Sequence, residues 1–135
     1  MLSLLSGGGL IRALGVCAFI REWQKHLLYR EMMKSIPERD WKYLSSVKGD
    51  MLETLCERIN DEVCRIVADQ ASSQHERFLR LHGHLIKGDE VVARCFDDWR
   101  RSNILEKLVA LYRHRLLTNE HLARLSRETW EMLRH

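Results

Sequence analysis

The sequence contains a single proline, Pro37, and no sustained alternation of apolar and polar residues. β-Strands need that alternation or short bounded apolar runs, so a sheet has almost nothing to build on. Apolar residues instead recur at intervals of three and four, which is typical of amphipathic helices. The sequence therefore predicts an all-α protein. The apolar run from Ala13 to Ile20 falls short of the ~20 residues that cross a bilayer, and no transmembrane span is expected.

Patterns that would mark a metal or catalytic site are also missing. The four cysteines show no C-x-x-C spacing and are expected to be buried thiols in a reducing compartment: Cys17, Cys56, Cys64 and Cys95. None of the seven histidines lies four residues from another, as a helical zinc pair requires. Gly7–Gly9 follows no predicted strand, so it is not a phosphate-binding loop. We therefore expect no catalytic site, no metal and no cofactor of the chain's own.

Length and charge set further limits. The 135 residues suffice for one domain with its own core, and 45% hydrophobic with 30% charged residues suits amphipathic helices better than disorder. The 22 basic and 19 acidic residues leave a net charge of +3, which is too modest to indicate nucleic-acid binding by itself.

The first predicted helix runs from Leu10 to Ser35 and stops ahead of Pro37, because the residue before a proline is disfavoured in helical geometry. Ser35 and Glu38 stand at capping-box spacing and are expected to open a short second helix.

Small and capping residues predict the later helix boundaries. Ser45, Ser46 and Gly49 predict a break, after which Asp50 and Glu53 would cap a long helix to about Ala71. Its buried stripe is predicted to contain Met51, Leu55, Ile59, Val63 and Ile66 or Val67.

A second capping box, Ser73 with Glu76, predicts a further helix that Gly88 ends. Its predicted buried residues are Phe78, Leu81, Leu85 and Ile86. Asp89 is predicted to begin the next helical segment, and Ser102 to interrupt it. Thr118 or Asn119 is predicted to cap a last helix, which carries Leu122, Leu125, Thr129 and Leu133.

The most economical architecture is an antiparallel helical bundle. It has a three-helix core over 20–88 and a two-helix carboxyl-terminal extension over 89–135 that packs on the core. Residues 1–19 contain no acidic residue and are rich in Leu, Ser and Gly, so they form either an uncleaved mitochondrial targeting segment or the start of the first helix.

One motif on the first predicted helix carries the functional argument. Residues 27–34 have the form L-Y-R-x-hydrophobic-hydrophobic-basic, after the basic pair Lys25 and His26: Leu27, Leu28, Tyr29, Arg30, Glu31, Met32, Met33 and Lys34. On a helix, Leu28 and Met32 share one face while Arg30 and Lys34 share another. One face can pack and the other offers positive charge.

This motif resembles the signature of the mitochondrial LYR-motif family. The resemblance implies a small helical bundle that recruits the mitochondrial acyl carrier protein, whose acidic side chains pair with the adaptor's basic residues. The implied carrier-binding residues are Tyr29, Arg30, Lys34, Arg58 and Arg65. The carrier would supply an acylated 4'-phosphopantetheine, whose chain enters a groove lined by Leu28, Met32, Met33 and Val63. The family usually has a phenylalanine in a later helix, where this chain has Val63, with Phe78 the nearest alternative.

A second LYR-like copy is formed by Leu111, Tyr112 and Arg113. The stretch from Leu108 to Arg124 around it is similar to family members that assist assembly of mitochondrial ATP synthase. The first copy is favoured, because it lies on the amino-terminal helix and has the hydrophobic and basic continuation.

These observations lead to the expectation of a non-catalytic adaptor in the mitochondrial matrix or at the matrix face of the inner membrane. It would be an accessory subunit or assembly factor of a respiratory complex, ATP synthase or mitochondrial ribosome. The extension offers a docking surface with typical interface anchors, Trp99, Arg100, Arg101 and Trp130.

Two alternatives remain open. The first is an RNA-contacting component of a mitochondrial ribosome, without acyl carrier protein, with Arg94, Arg100, Arg101, Lys107, Arg113 and Arg115 on phosphates. The second, ranked last, is a helical enzyme with a histidine site.

Overall fold

The computed structural model describes residues 18–25 and 35–134, and within these ranges the chain is helical with no strand. The chain divides into two units, Met1–Lys34 and Ser35–His135. The described part of the first unit is a helical segment over 18–25, here α1, which falls inside the predicted first helix. The all-α prediction is confirmed for the described ranges.

The second unit begins with two long helices, α2 (Glu38–Ala68) and α3 (Gln74–Phe96). A 3₁₀ turn over Arg101–Asn103 follows. Three shorter helices complete the unit: α4 (Ile104–Arg113), α5 (Asn119–Ala123) and α6 (Arg127–Leu133). The single last helix predicted after Thr118 is therefore two helices, α5 and α6, joined at 124–126.

Helix α2 runs unbroken through the segment where a break was predicted. Leu44 and Met51, seven residues apart, are 0% and 2% exposed, so continuing the helix places both on the core face. The Ser46 hydroxyl donates a hydrogen bond to the Tyr43 carbonyl of the same helix. The serine side chain therefore has a partner without breaking the helix. The prediction at 45–49 was wrong because tertiary burial outweighs the local preference of serine and glycine.

The start of α2 also differs from its prediction. Pro37 occupies the N-cap position and no side chain caps the helix there, so the predicted capping box of Ser35 and Glu38 does not form. The Glu38 carboxylate instead accepts a hydrogen bond from Arg101, 2.6 Å away.

Helix α3 confirms one prediction and corrects another. Ser73 and Glu76 form the predicted capping box. The helix does not end at Gly88, however, but continues to Phe96. A Cβ atom at Gly88 would lie 3.0 Å from Ile59 Cδ1, so this glycine allows α2 and α3 to approach closely and does not terminate the helix.

The face that α3 turns toward α2 is not the predicted one. Arg77 donates to the Val67 carbonyl at 2.7 Å, and a His84 ring nitrogen lies 3.0 Å from the Ile59 carbonyl. Three of the four residues predicted to be buried lie elsewhere on the helix, since Phe78, Leu85 and Ile86 are 62%, 50% and 47% exposed, and only Leu81 is half-buried. The two helices form an antiparallel hairpin whose outer stripe on α3 is apolar.

The core lies where the first half of α2 meets the last turns of α3 and the helices α4 to α6. Its buried members include Leu44, Met51, Leu55, Cys95, Phe96, Ile104, Leu108, Leu111, Leu117, Leu122 and Leu125. Cys95 is buried as predicted, whereas Cys64 is exposed and Cys56 half-buried, which corrects the expectation of buried thiols. Cys17 lies outside the described residues.

Replacing Gly49 with alanine tests the continuity of α2. A Cβ atom there meets nothing within 4 Å. We expect Gly49→Ala to raise the free energy of unfolding by about 0.5 to 1 kcal/mol, because alanine loses less backbone freedom in a helix than glycine. Urea denaturation followed by circular dichroism measures this. The matched variant Gly88→Ala should gain less, since its Cβ would crowd Ile59. A loss of stability in Gly49→Ala would show that the chain breaks at this position.

Candidate functional site

The first LYR-like copy lies outside the described residues. This applies to Leu28, Tyr29, Arg30, Met32, Met33 and Lys34, whose assignment stays a prediction.

Three further predicted residues lie on α2. Arg65 is exposed and pairs with Glu62 at 2.5 Å, while Val63 is half-buried. Arg58 is exposed and reaches α4, because its guanidinium donates to the carbonyls of His114 at 2.8 Å and Arg115 at 3.0 Å. The structure therefore brings Arg58 next to the second LYR-like copy, a proximity that their separation in sequence does not reveal.

The second copy divides between core and surface. Leu111 is fully buried, whereas Tyr112 is 61% exposed and Arg113 is also exposed. Tyr112 and Arg113 thus lie on the outer side of α4, where a partner can reach them.

Beside this pair lies a groove of about 460 Å³ between α4, α5 and α6. Leu108, Leu117 and Leu122, each at most 6% exposed, form its apolar floor. Arg113 and Arg134 stand at its margins. Among the described residues that line the groove, none is acidic. Apolar clefts with a few converging polar groups are the usual form of binding sites in proteins.

The two long walls of the groove share one residue pattern. One wall has Val109, Tyr112 and Arg113 of α4. The other has Trp130 and Leu133 of α6 with Arg134, the residue that follows the helix, and both sets have the spacing i, i+3 and i+4. Residues with this spacing line one side of a helix. The Trp130 indole is held in place by donating to the Leu122 carbonyl at 3.1 Å.

The sequence pointed to Tyr112 and Arg113 as a motif copy and to Trp130 as an interface anchor, and it placed Leu122 and Leu133 on a last helix. It did not predict that these residues line one groove, and it did not point to Arg134, which the repeated spacing could have suggested. That α4 and α6 face each other is a tertiary fact and has no signal in the local sequence.

Helix α6 is held in position by a buried carboxylate from α2. Asp40, 0% exposed, accepts hydrogen bonds through Oδ2 from the Ser126 amide at 2.9 Å, the Ser126 hydroxyl at 2.6 Å and the Thr129 hydroxyl at 2.5 Å. Its negative charge also lies at the first turns of both α2 and α6, where helix dipoles favour anions. We call these three residues the Asp40 clamp.

Three titratable groups in the described ranges have a shifted pKa, and each shift has a structural cause. Burial is the largest influence on Asp40 and would raise its pKa, but hydrogen bonds from Ser126 and Thr129 with the nearby Arg39 charge together lower it. Hydrogen bonds from Arg80 and then Ser72 lower the pKa of Asp69. Burial raises the pKa of the Cys95 thiol, which disfavours the reactive thiolate. These groups act in folding contacts, and none lines the groove.

Several cations proposed for RNA binding are engaged inside the fold. Arg101 donates two hydrogen bonds to the Ile36 carbonyl and pairs with Glu38, and Lys107, 9% exposed, donates to the Arg94 carbonyl at 2.9 Å. Arg100 pairs with Asp98 at 2.5 Å. These contacts reduce the positive charge that the extension can offer to phosphates.

Among the described residues, no cluster of three or more His, Cys, Asp or Glu side chains could hold a metal ion. Of the helices in that part of the chain, none combines the length and the hydrophobicity that a membrane span requires. Comparison with known proteins gave no significant similarity: no protein-family model, no curated protein and no solved structure matches this sequence.

Removing the Asp40 carboxylate should loosen α6 and the groove with it. We expect Asp40→Ala to lower the free energy of unfolding by about 2 to 4 kcal/mol, because the Ser126 and Thr129 donors lose their buried acceptor. Amide hydrogen exchange should become faster in α6 than in the α2–α3 hairpin. Equal acceleration in both would contradict the role of the Asp40 clamp.

The same carboxylate makes stability depend on pH. Because its pKa is lower in the folded than in the unfolded chain, its contribution is complete above the usual carboxyl pKa of 3.8 and is lost as the pH falls below it. Denaturant titrations between pH 6 and 3 measure this loss. The variant Asp40→Asn keeps an acceptor oxygen but cannot titrate, so its stability should fall less steeply with acid than that of the unmodified chain.

Proposed function

We propose that this chain is a non-catalytic adaptor of the LYR type, which binds mitochondrial acyl carrier protein and serves a large mitochondrial complex as an accessory subunit or assembly factor. A bundle arrangement of the helices is part of this proposal, as is a mitochondrial location.

The observation that carries the adaptor function is the exposure of large apolar side chains on the α2–α3 hairpin. On α3, Phe78 and the adjacent Leu79 are 62% and 53% exposed, and Leu85, two turns later, is 50% exposed; Val67 of α2 is 51% exposed. Contiguous exposed apolar patches mark interaction sites, because a soluble monomer gains free energy by burying them. A chain that works while held against other proteins accounts for this surface.

The LYR identity and the carrier rest on residues 27–34 and on the resemblance they carry. In this proposal Tyr29, Arg30 and Lys34 meet acidic side chains of the carrier, and the acyl chain enters a groove lined by Leu28, Met32, Met33 and Val63. Arg58 and Arg65 add positive charge along α2. Arg58 already donates to two carbonyls of the α4 terminus, so it contributes charge more readily than new hydrogen bonds.

In this proposal the titratable side chains of the described ranges serve the fold and not a reaction. The groups with a shifted pKa are Asp40, Asp69 and Cys95, and each contributes to a fold contact or is buried. Catalytic groups typically have a shifted pKa inside a cleft, where substrate can reach them.

The RNA-binding alternative is less favoured by the contacts of the cations. Of the six residues proposed for phosphate binding, Arg100, Arg101 and Lys107 have partners inside the fold. Arg94, Arg113 and Arg115 are left, and three cations give weak binding at physiological salt.

The proposal is tested by isolating the full chain together with its bound partners. We expect an acyl carrier protein to co-purify, identified by the mass of its 4'-phosphopantetheine arm. Arg30→Glu should remove it, because a carboxylate would repel the acidic surface of the carrier. Arg113→Glu changes the net charge equally and should leave the carrier bound.

Two results would contradict this assignment. If Arg113→Glu removes the carrier and Arg30→Glu does not, the second copy is the carrier site. If no carrier is found and RNA is released by added salt, the chain is an RNA-contacting protein.

A further inference from the structure

The groove between α4, α5 and α6 has a construction that the carrier does not explain. Its floor is formed by buried leucines, and each of its two walls has two apolar or aromatic residues and an arginine. We propose that this groove is a second docking site, which binds an acidic amphipathic helix of a partner protein.

The exposed side chains of the walls supply the apolar part of this site. Tyr112 is 61% exposed, Val109 38% and Trp130 37%, so each leaves a substantial part of its surface open to solvent beside the apolar floor. Tyrosine and tryptophan are typical anchors of interfaces, because they provide large contact areas with few rotatable bonds. The hydrogen bond from Trp130 to the Leu122 carbonyl fixes the indole before any partner binds.

The shape favours a helix as the occupant. Two helical walls with lining residues at i, i+3 and i+4 leave a channel, and a helix fills such a channel with its own residues at i, i+3, i+4 and i+7. A volume of about 460 Å³ accommodates a few large side chains of such a helix.

The charge of the site selects the chemistry of the partner. Arg113 and Arg134 are exposed, stand on the two walls, and have neither an ion pair nor a side-chain hydrogen bond with any described residue. Most other arginines of the second unit do have such partners, as Arg39, Arg58, Arg77 and Arg101 show. Two guanidinium groups beside an apolar floor that lacks acidic residues complement a helix with carboxylates on both sides of its apolar stripe.

Synthetic peptides test this inference on the full chain. The probe is a capped helical peptide of about 16 residues with leucines at i, i+4 and i+7 flanked by glutamates, and its matched control has lysines in place of the glutamates. We expect the glutamate peptide to bind and the lysine peptide to bind at least roughly tenfold more weakly, as measured by calorimetry.

Charge-reversal variants locate the site. Arg113→Glu and Arg134→Glu should each weaken the glutamate peptide by roughly tenfold and strengthen the lysine peptide. Arg127→Glu is the matched control: it lies on α6 with a 91% exposed side chain, it pairs with Glu131, and it does not line the groove. Tyr112→Ala, an exposed change that leaves the core intact, should weaken both peptides.

The results that would overturn the inference are equally specific. They are equal binding of the two peptides, an effect of Arg127→Glu as large as that of Arg113→Glu, and amide shifts on binding that map to Phe78 and Leu85 in place of Tyr112 and Trp130. Binding to anionic phosphatidylglycerol vesicles with no binding to the peptide would identify a lipid surface as the partner. Because carrier binding is measured separately through Arg30→Glu, the two proposals succeed or fail independently.

Discussion

The fold depends on the pairing of helix carboxyl termini with cations from other helices. The last carbonyls of a helix have no partner within it, and burying them without one is costly. Arg77 donates to the end of α2 and Lys107 to the end of α3, while Arg58 and Arg39 donate to the ends of α4 and α5. In each case a positive charge also meets the negative end of a helix dipole. Because each cation comes from a different helix than the one it caps, these contacts fix both helix lengths and helix positions.

This use of positive charge changes what the basic composition means. Lysines and arginines that appear in the sequence as a surface for an acidic or phosphate-bearing partner are partly committed to main-chain carbonyls, and Lys107 is 9% exposed. The informative cations are then those that cap nothing. Among the described residues, Arg113 and Arg134 belong to this group, and both line an apolar groove. In the described part of the chain, an apolar groove and two arginines without a side-chain partner therefore lie together.

The sequence predicted the helical class, the capping box at Ser73 and the buried stripe through Met51 and Leu55, because helical periodicity and capping are local properties. It failed where a long-range contact reverses a local preference. Gly88 predicts a helix end, yet it lies within α3, where its missing side chain leaves room for Ile59. The buried face of α3 was also misassigned, since Phe78 and Leu85 make the stronger apolar pattern but lie outward. Periodicity shows that a stripe exists, whereas the partner helix decides which stripe is covered.

The groove shows the same division between local and tertiary information. The pattern of Tyr112 with Arg113 is visible in the sequence, but a groove needs a second wall, and α6 is only seven residues long. A helix this short is not stable by itself, because few backbone hydrogen bonds oppose the entropy of ordering it. Its position comes from the Asp40 clamp, which spans 86 residues of sequence to Ser126. Arg134, the residue that follows α6, can therefore serve a binding site only because a buried carboxylate on α2, paired with Arg39 at 3.5 Å, accepts hydrogen bonds from the hydroxyl and amide donors of α6.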